Sequence, residues 1–162
     1  KLQVENYLCQ LGIRHAILRF SKVYGIQPND GTLFADWADQ MKPGMTIRCA
    51  ADQAFSPVFV GDVAEAIELV VDRNLEGLFH LSGNRRFSRL ELLELFLDIR
   101  RRQHGSLEVN VERCSIDDFK LPEKRPKDVS MIADRISVAT DLKFADTEEM
   151  CAKVITQAAK SL

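Results

Sequence analysis

Apolar residues at Leu2, Val4, Tyr7, Leu8 and Leu11 fall close to helical spacing, and Gly12 follows where a helix takes a left-handed cap. The spacing predicts a helix over Lys1 to Leu11. Arg14 to Phe20 then reads as a buried-type strand, and the order helix, turn, strand fits one unit of a parallel sheet. Pro28 to Gly31 predicts a loop leading into a helix over Thr32 to Met41, with Leu33, Phe34, Trp37, Ala38 and Met41 on one face. Pro43 and Gly44 end it. Met45 to Ala50 reads as a short strand, and Ala54 to Val60 as a turn into a second one.

Two helix starts are marked by the capping-box spacing, in which a side-chain oxygen and a glutamate three residues on satisfy each other's free amides. Asp62 with Glu65 predicts one, followed by the apolar stripe Ala66, Ile67, Val70 and Val71 and a stop near Asn74. Ser88 with Glu91 predicts the other, with Leu92, Leu93, Phe96 and Leu97 facing a core. Between them, Gly77 to Gly83 is a short strand ending in a glycine turn. Leu107, Val109 and Val111 alternate with polar residues as in a half-buried strand. Leu121 to Asp128 is a charged, proline-bearing loop, and Ile132 to Asp141 and Thr147 to Lys160 are helices. The last of these puts Met150, Cys151, Val154, Ile155 and Ala158 on one side.

The fold class is therefore α/β, and 162 residues suffice for a core that buries ~70% of the unfolded surface. A net charge of −2 with both signs interspersed gives no broad face for nucleic acid or a membrane surface, so any anion site is local. The apolar runs are too short for a transmembrane helix or a signal peptide, which makes a cytoplasmic protein the default. Cys9, Cys49, Cys114 and Cys151 are scattered without metal-ligand spacing, so no metal site is expected.

Chemistry is expected where the first strand stops, because loops and helix starts beyond the carboxyl ends of parallel strands present unpaired donors. Ser21 and Lys22 stand there. Lys1-Leu2-Gln3-Val4-Glu5 followed by Leu18-Arg19-Phe20-Ser21-Lys22-Val23-Tyr24-Gly25 resembles the extended short-chain dehydrogenase/reductases just after their Tyr-x-x-x-Lys motif. The likeness is to the dTDP-4-dehydrorhamnose reductase branch. Ser56-Pro57-Val58-Phe59-Val60 with Asp62-Val63-Ala64 resembles that branch's Ser-Pro-Thr-x-Val-x-Asp-Leu-Ala. Phe79-His80-Leu81-Ser82-Gly83 resembles its Tyr-His-Leu-Ser-Gly, with His80 read as structural. The motifs occur in the family's order along almost the whole chain.

The resemblance implies the C-terminal part of a Rossmann-type NAD(P)-binding fold plus a small α/β substrate-binding domain. Residues 1–30 would be the remnant of the dinucleotide-binding domain and 31–162 the substrate-binding domain. Lys1 would be the motif lysine, catalytic through its charge on a tyrosine four residues earlier and cofactor-binding through the nicotinamide ribose. The backbone at Phe20 and Ser21 would pass the nicotinamide, and Lys22 would face substrate. The branch commonly has tryptophan at that last position, so the lysine leaves sugar specificity open. Gln53 would reach substrate from a loop. Arg125 and Asp128 match an Arg-x-x-Asp pattern that holds a diphosphate and a nucleotide ribose in sugar-nucleotide relatives, with Lys124 and Lys127 adding positive charge. For Lys1, Lys22, Gln53 and the Arg125 loop, plain solvation is the competing description, and for Asp62 a helix cap.

The implied function is the substrate-binding portion of an NAD(P)H-dependent reductase of a nucleotide-linked 4-keto sugar. NADP or NAD would be the cofactor of the parent protein. No Gly-x-Gly-x-x-Gly turn occurs among the glycines. The chain alone is thus expected neither to bind the dinucleotide nor to transfer hydride, and its start at lysine reads as that of a fragment. Two alternatives stay open: a regulatory subunit of the same fold, similar to the β subunit of methionine adenosyltransferase, and a sugar-nucleotide epimerase fragment. Exposed apolar surface on the first helix and strand is expected to promote self-association.

Overall fold

The computed structural model describes residues 1–28 and 30–160; of the expected Pro28 to Gly31 loop, Asn29 lies outside them. Helix α1 (Leu2–Gln10) ends as its pattern implies, with the Leu11 amide on the Tyr7 carbonyl and Gly12 at φ +62°. Strand β1 (Ala16–Phe20) follows, then β2 (Val23–Tyr24) and α2 (Leu33–Gln40). Strands β3 (Thr46–Ala50), β4 (Ala54–Phe55) and β5 (Val58–Phe59) lead directly into α3 (Val60–Asp72). Strand β6 (Gly77–Leu81) is followed by β7 (Phe87–Ser88), α4 (Arg89–His104) and β8 (Asn110–Cys114). Helices α5 (Asp134–Thr140) and α6 (Thr147–Lys160) complete the order.

The strands pair two by two. β1 runs parallel to β6 in the register Ala16 to Gly77 through Phe20 to Leu81, β2 to β5, and β3 to β8, while β4 and β7 are antiparallel. This is a mixed α/β structure dominated by parallel pairs, as the alternation of helix and strand patterns requires. Two apolar clusters hold it. The larger gathers Phe34 and Trp37 of α2, Ile47 and Cys49 of β3, Leu92, Leu93 and Phe96 of α4, and Met150, Val154 and Ile155 of α6. Phe34 and Phe96 stack at 5.4 Å with Tyr24 edge-on to Phe34 at 4.7 Å. The smaller packs α3 and α5 on β6 through Val63, Ala66, Val70, Phe79, Leu81 and Ile136.

Three expectations change on contact with the structure. Asp62 is not the N-cap: α3 begins three residues earlier than that cap would set it, because Phe59, extended at φ −71° and ψ 137°, is its N-cap. The Asp62 carboxylate instead accepts the Ala145 amide at 2.8 Å and ties the approach to α6 onto α3. β1 is only partly buried, with Phe20 47% exposed, because β6 is its sole strand neighbour among the described residues and α1 buries no residue. The alternating stretch near Val109 pairs as β8 from Asn110 onward, its register set by the Thr46 to Asn110 match. The box at Ser88 forms as expected, with the Glu91 amide on Ser88 Oγ at 3.1 Å and the Ser88 amide on Glu91 Oε2 at 2.7 Å.

Candidate functional site

The end of β1 is locked between two neighbours. The Ser21 amide donates to the Leu81 carbonyl at 3.0 Å, the Ser56 amide to Ser21 Oγ at 3.2 Å, and the Val58 amide to the Lys22 carbonyl at 3.0 Å. Segment 56–58 therefore lies directly against segment 20–22. Gly83 makes the approach possible, since a Cβ there would sit 2.1 Å from the Pro57 carbonyl oxygen. The Ser21 amide is thus bound to β6 and its Oγ accepts from Ser56, while Phe20 stays exposed.

The loop after Leu121 runs along β4. The Ala54 amide donates to the Lys127 carbonyl at 2.7 Å, the Val129 amide to the Ala54 carbonyl at 2.9 Å, and Ala54 bridges Asp128 in parallel. Ser82 Oγ donates to the Met131 carbonyl at 2.9 Å and anchors the loop to the end of β6. The folding of these three segments brings Lys22, Gln53, Arg125 and Asp128 to one end of the structure. Lys1 remains exposed at the start of α1, where its carbonyl accepts the Val4 and Glu5 amides, and its side chain makes no hydrogen bond or ion pair among the described residues.

Gln53 is buried rather than solvated, and its Oε1 accepts Arg89 Nη1 at 3.3 Å. Arg89 opens α4, with its guanidinium carbon 6.0 Å from the Trp37 ring centre and the Cys49 thiol beside it. Its Nε is buried with no hydrogen-bond partner among the described residues. Lys22 is exposed as a residue, yet the protein packed around it desolvates its charge, and Arg89 and then Arg125 add repulsion, so its pKa lies below the ordinary lysine value. No carboxylate lies within ion-pair distance of Lys22, Arg89 or Arg125 among the described residues.

The neighbouring charges of the loop are already committed. Lys127, expected to join a positive patch, sits on Asp52 at 2.7 Å and near Asp117 at 3.5 Å. Lys127, Ser115 and the Ile116 amide together hold Asp52 far below the usual carboxylate range. Asp128 accepts the Ser130 hydroxyl and amide on Oδ1 and Arg86 Nε and Nη2 on Oδ2, which fills its lone-pair positions and holds its pKa to about 2.

Arg86 and Arg89 are the residues that sequence reasoning missed. The Ser88 box fixes the start of α4, and hence Arg89 in its first turn. Its contact with Gln53 depends on the antiparallel pairing of β4 with β7, which no local pattern announces. Arg89 also borders a cavity of about 340 Å³ lined by Asp36, Trp37, Gln40, Arg48 and Phe119. A larger cleft of about 440 Å³ lies elsewhere, between the end of α4 and the start of α6, and contains none of the predicted residues. Its one cation, Arg102, is paired with Glu148, and Asp146 accepts the Glu148 and Glu149 amides, so an anion is better placed at Lys22.

Residues 1–160 match the family described as RmlD substrate binding domain. The chain belongs to that family. The RmlD-type fold is shared with dTDP-4-dehydrorhamnose reductase from Bacillus anthracis in complex with NADP, at 22% identity and a TM-score of 0.72, over 94% of this chain and 52% of that one. A dTDP-4-dehydrorhamnose reductase from Clostridium acetobutylicum aligns at 19% identity and 0.76 over 96% and 53%. UDP-glucuronic acid 4-epimerase from Bacillus cereus, in complex with UDP-glucuronic acid and NAD, aligns at 18% and 0.71 over 97% and 50%. The chain thus spans about half the length of these structures, and its α/β architecture is that of the Rossmann-type reductases and epimerases. No curated protein matches it. No helix among the described residues is long and apolar enough to cross a membrane, and no cluster of metal-ligating side chains occurs among them.

Proposed function

We propose that this chain is the substrate-binding portion of an NAD(P)H-dependent reductase acting on a nucleotide-linked 4-keto sugar, and that it binds the nucleotide sugar without transferring hydride on its own. The observation that carries the reading is Lys22 beyond the carboxyl end of a parallel strand in an RmlD-type fold, within the field of Arg125, with neither cation paired to a carboxylate among the described residues. Lys22 and Arg125 take the anionic part of the ligand, and Asp128 takes a ribose hydroxyl in exchange for Ser130 Oγ. Gln53 acts from beneath, through the guanidinium it holds. Residues 1–30 supply the cofactor side and 31–162 the substrate side.

The dinucleotide itself does not fit the residues present. Ser21 donates its amide to Leu81 and accepts the Ser56 amide on Oγ, Lys1 stands exposed, and no glycine-rich turn is at hand to approach a pyrophosphate. Lys1 takes its catalytic and cofactor-holding roles only beside a motif tyrosine and the glycine turn. Calorimetric titration of the chain with dTDP and with NADPH tests the reading. Binding of dTDP that weakens in Arg125→Ala, with no NADPH signal, is the expected result. A folded chain that ignores dTDP would sink it.

A further inference from the structure

Arg89 belongs to no motif of the family resemblance, yet it shares its surroundings with two residues that do. Lys22 follows β1, Arg89 opens α4 and Arg125 lies in the loop along β4; the Ser56 amide on Ser21 Oγ, the Arg89 amide on the Gln53 carbonyl and the Ala54 amide on the Lys127 carbonyl tie these three segments to the stretch from Gln53 to Ser56, and the charges of both arginines reach Lys22. Elsewhere the chain neutralises charges it brings together, pairing Arg19 with Glu5, Arg48 with Glu112, Arg86 with Asp128 and Lys127 with Asp52. Here Asp36 is the one acid whose field reaches both Lys22 and Arg89, and it lies beyond ion-pair distance. Uncompensated like charges held by rigid elements are the arrangement that an anionic ligand completes.

The side chain is also pre-set for that task. Gln53 holds Nη1 and the Trp37 ring backs the guanidinium, so little rotamer freedom remains to be lost on binding. The opposite edge carries Nε, a covered donor without a partner. Arginine binds phosphate through a fork made of Nε and one terminal nitrogen, and Nε is the part of that fork left without a partner here.

We propose that Arg89 is a ligand-binding residue of this site, its Nε edge gripping the diphosphate of a nucleotide ligand together with Lys22 and Arg125. The proposal rests on the nucleotide-sugar reading above and adds to it a residue that the family resemblance leaves out. Titration of the 162-residue chain with dTDP and with inorganic pyrophosphate separates the two. Arg89→Gln is expected to weaken both ligands by ~10- to 100-fold, the worth of a charged hydrogen-bonded contact. Lys143→Gln, which removes an equal charge from an exposed position off the site, is expected to leave both unchanged. Arg89→Lys keeps the charge without the fork and is expected to fall between. Wild-type affinity in a folded Arg89→Gln chain would overturn the role of Arg89 while leaving the nucleotide-sugar reading intact. If that variant does not fold, wild-type affinity in Arg89→Lys would overturn it equally. A folded wild-type chain that binds neither ligand would overturn both.

Discussion

Gln53 holds Arg89 at two points: its backbone carbonyl accepts the Arg89 amide at 2.7 Å, and its Oε1 accepts Arg89 Nη1 at 3.3 Å. The backbone bond belongs to the junction of β4 and β7 and survives any side-chain change. The side-chain bond sets where the guanidinium points. Gln53→Leu keeps the volume and removes the acceptor, so it is expected to leave the thermal midpoint within a few degrees while loosening Arg89. Pyrophosphate affinity, read by calorimetry, should fall ~3- to 10-fold, less than in Arg89→Gln, because the variant loosens the guanidinium without removing its charge.

Gly83 permits the close contact that puts segment 56–58 against Lys22. In Gly83→Ala the added methyl would meet the Pro57 carbonyl oxygen, a backbone atom that cannot swing aside, at 2.1 Å. Strain of this kind costs ~1–3 kcal/mol. Chemical denaturation should show that loss with an unchanged slope, and ligand binding should weaken because the Val58 amide to Lys22 carbonyl bond is displaced. Gly105→Ala, at a site with nothing within 4 Å of the new methyl, is the comparison: its cost comes from φ +80° alone and should leave binding untouched.

Local patterning recovered the helices to within about two residues, the start of α3 excepted, because each carries its own apolar stripe, and α6 and the Ser88 box are cases where one segment holds all the information. Asp62 shows the opposite. Its spacing to Glu65 is a genuine capping pattern, but the extended Phe59 starts the helix earlier and the amide at Ala145 claims the carboxylate. The site divides the same way. Lys22 and Arg125 were visible through motifs, whereas Arg86 and Arg89 depend on pairings between segments far apart in sequence. The neutralisation of Lys127 by Asp52 was likewise invisible, since nothing near either residue points to the other.

Asp62 gives the stability a distinct dependence on pH. Burial raises its folded-state pKa above 3.8, opposed by the Ala145 hydrogen bond, so the folded state holds its proton to higher pH than the unfolded chain does. The contribution is fully present below the unfolded value and is lost as pH rises through the raised one. Asp52 behaves in the reverse sense, being depressed by Lys127, so its contribution is present above about 3.8 and lost on acidification below it. Urea midpoints measured from pH 3 to 7 should therefore change slope in opposite directions: Asp62→Asn removes a loss on the rising side, and Asp52→Asn removes one on the acid side. An unchanged profile in either variant would contradict the assignment of that carboxylate.

Lys22 is expected to give ligand binding, as well as folding, a dependence on pH. Its pKa is lowered first by desolvation and then by Arg89 and Arg125, with Asp36 opposing, and an anion beside it would raise the pKa again. Only the protonated form attracts the ligand. Pyrophosphate affinity is expected to decline at pH values below those at which an ordinary lysine titrates, and binding in that range should take up protons. Calorimetry in buffers of different ionisation enthalpy reads that uptake directly. It should vanish in Lys22→Gln, whereas a lysine that merely projects into solvent would give the same signal in both proteins.

The exposed apolar side chains of α1 are expected to set how the chain behaves at high concentration. Leu2, Val4 and Tyr7 are 60–64% exposed, α1 buries no residue, and Leu11, Ile13 and Phe20 are exposed as well. An apolar surface of this kind loses area to water on association at about 25 cal/mol per Å². We expect the chain to self-associate through it, giving a sedimentation coefficient that rises with concentration and a hydrophobic-dye signal that falls as the face is covered. Val4→Gln with Tyr7→Gln should return the chain to a monomer without lowering its thermal midpoint by more than a few degrees, because neither side chain contributes to the two cores. Glu5 is left in place in that variant, since its ion pair with Arg19 fastens α1 to β1. A wild-type chain that stays monomeric across a hundredfold range of concentration would show that this face does not drive association.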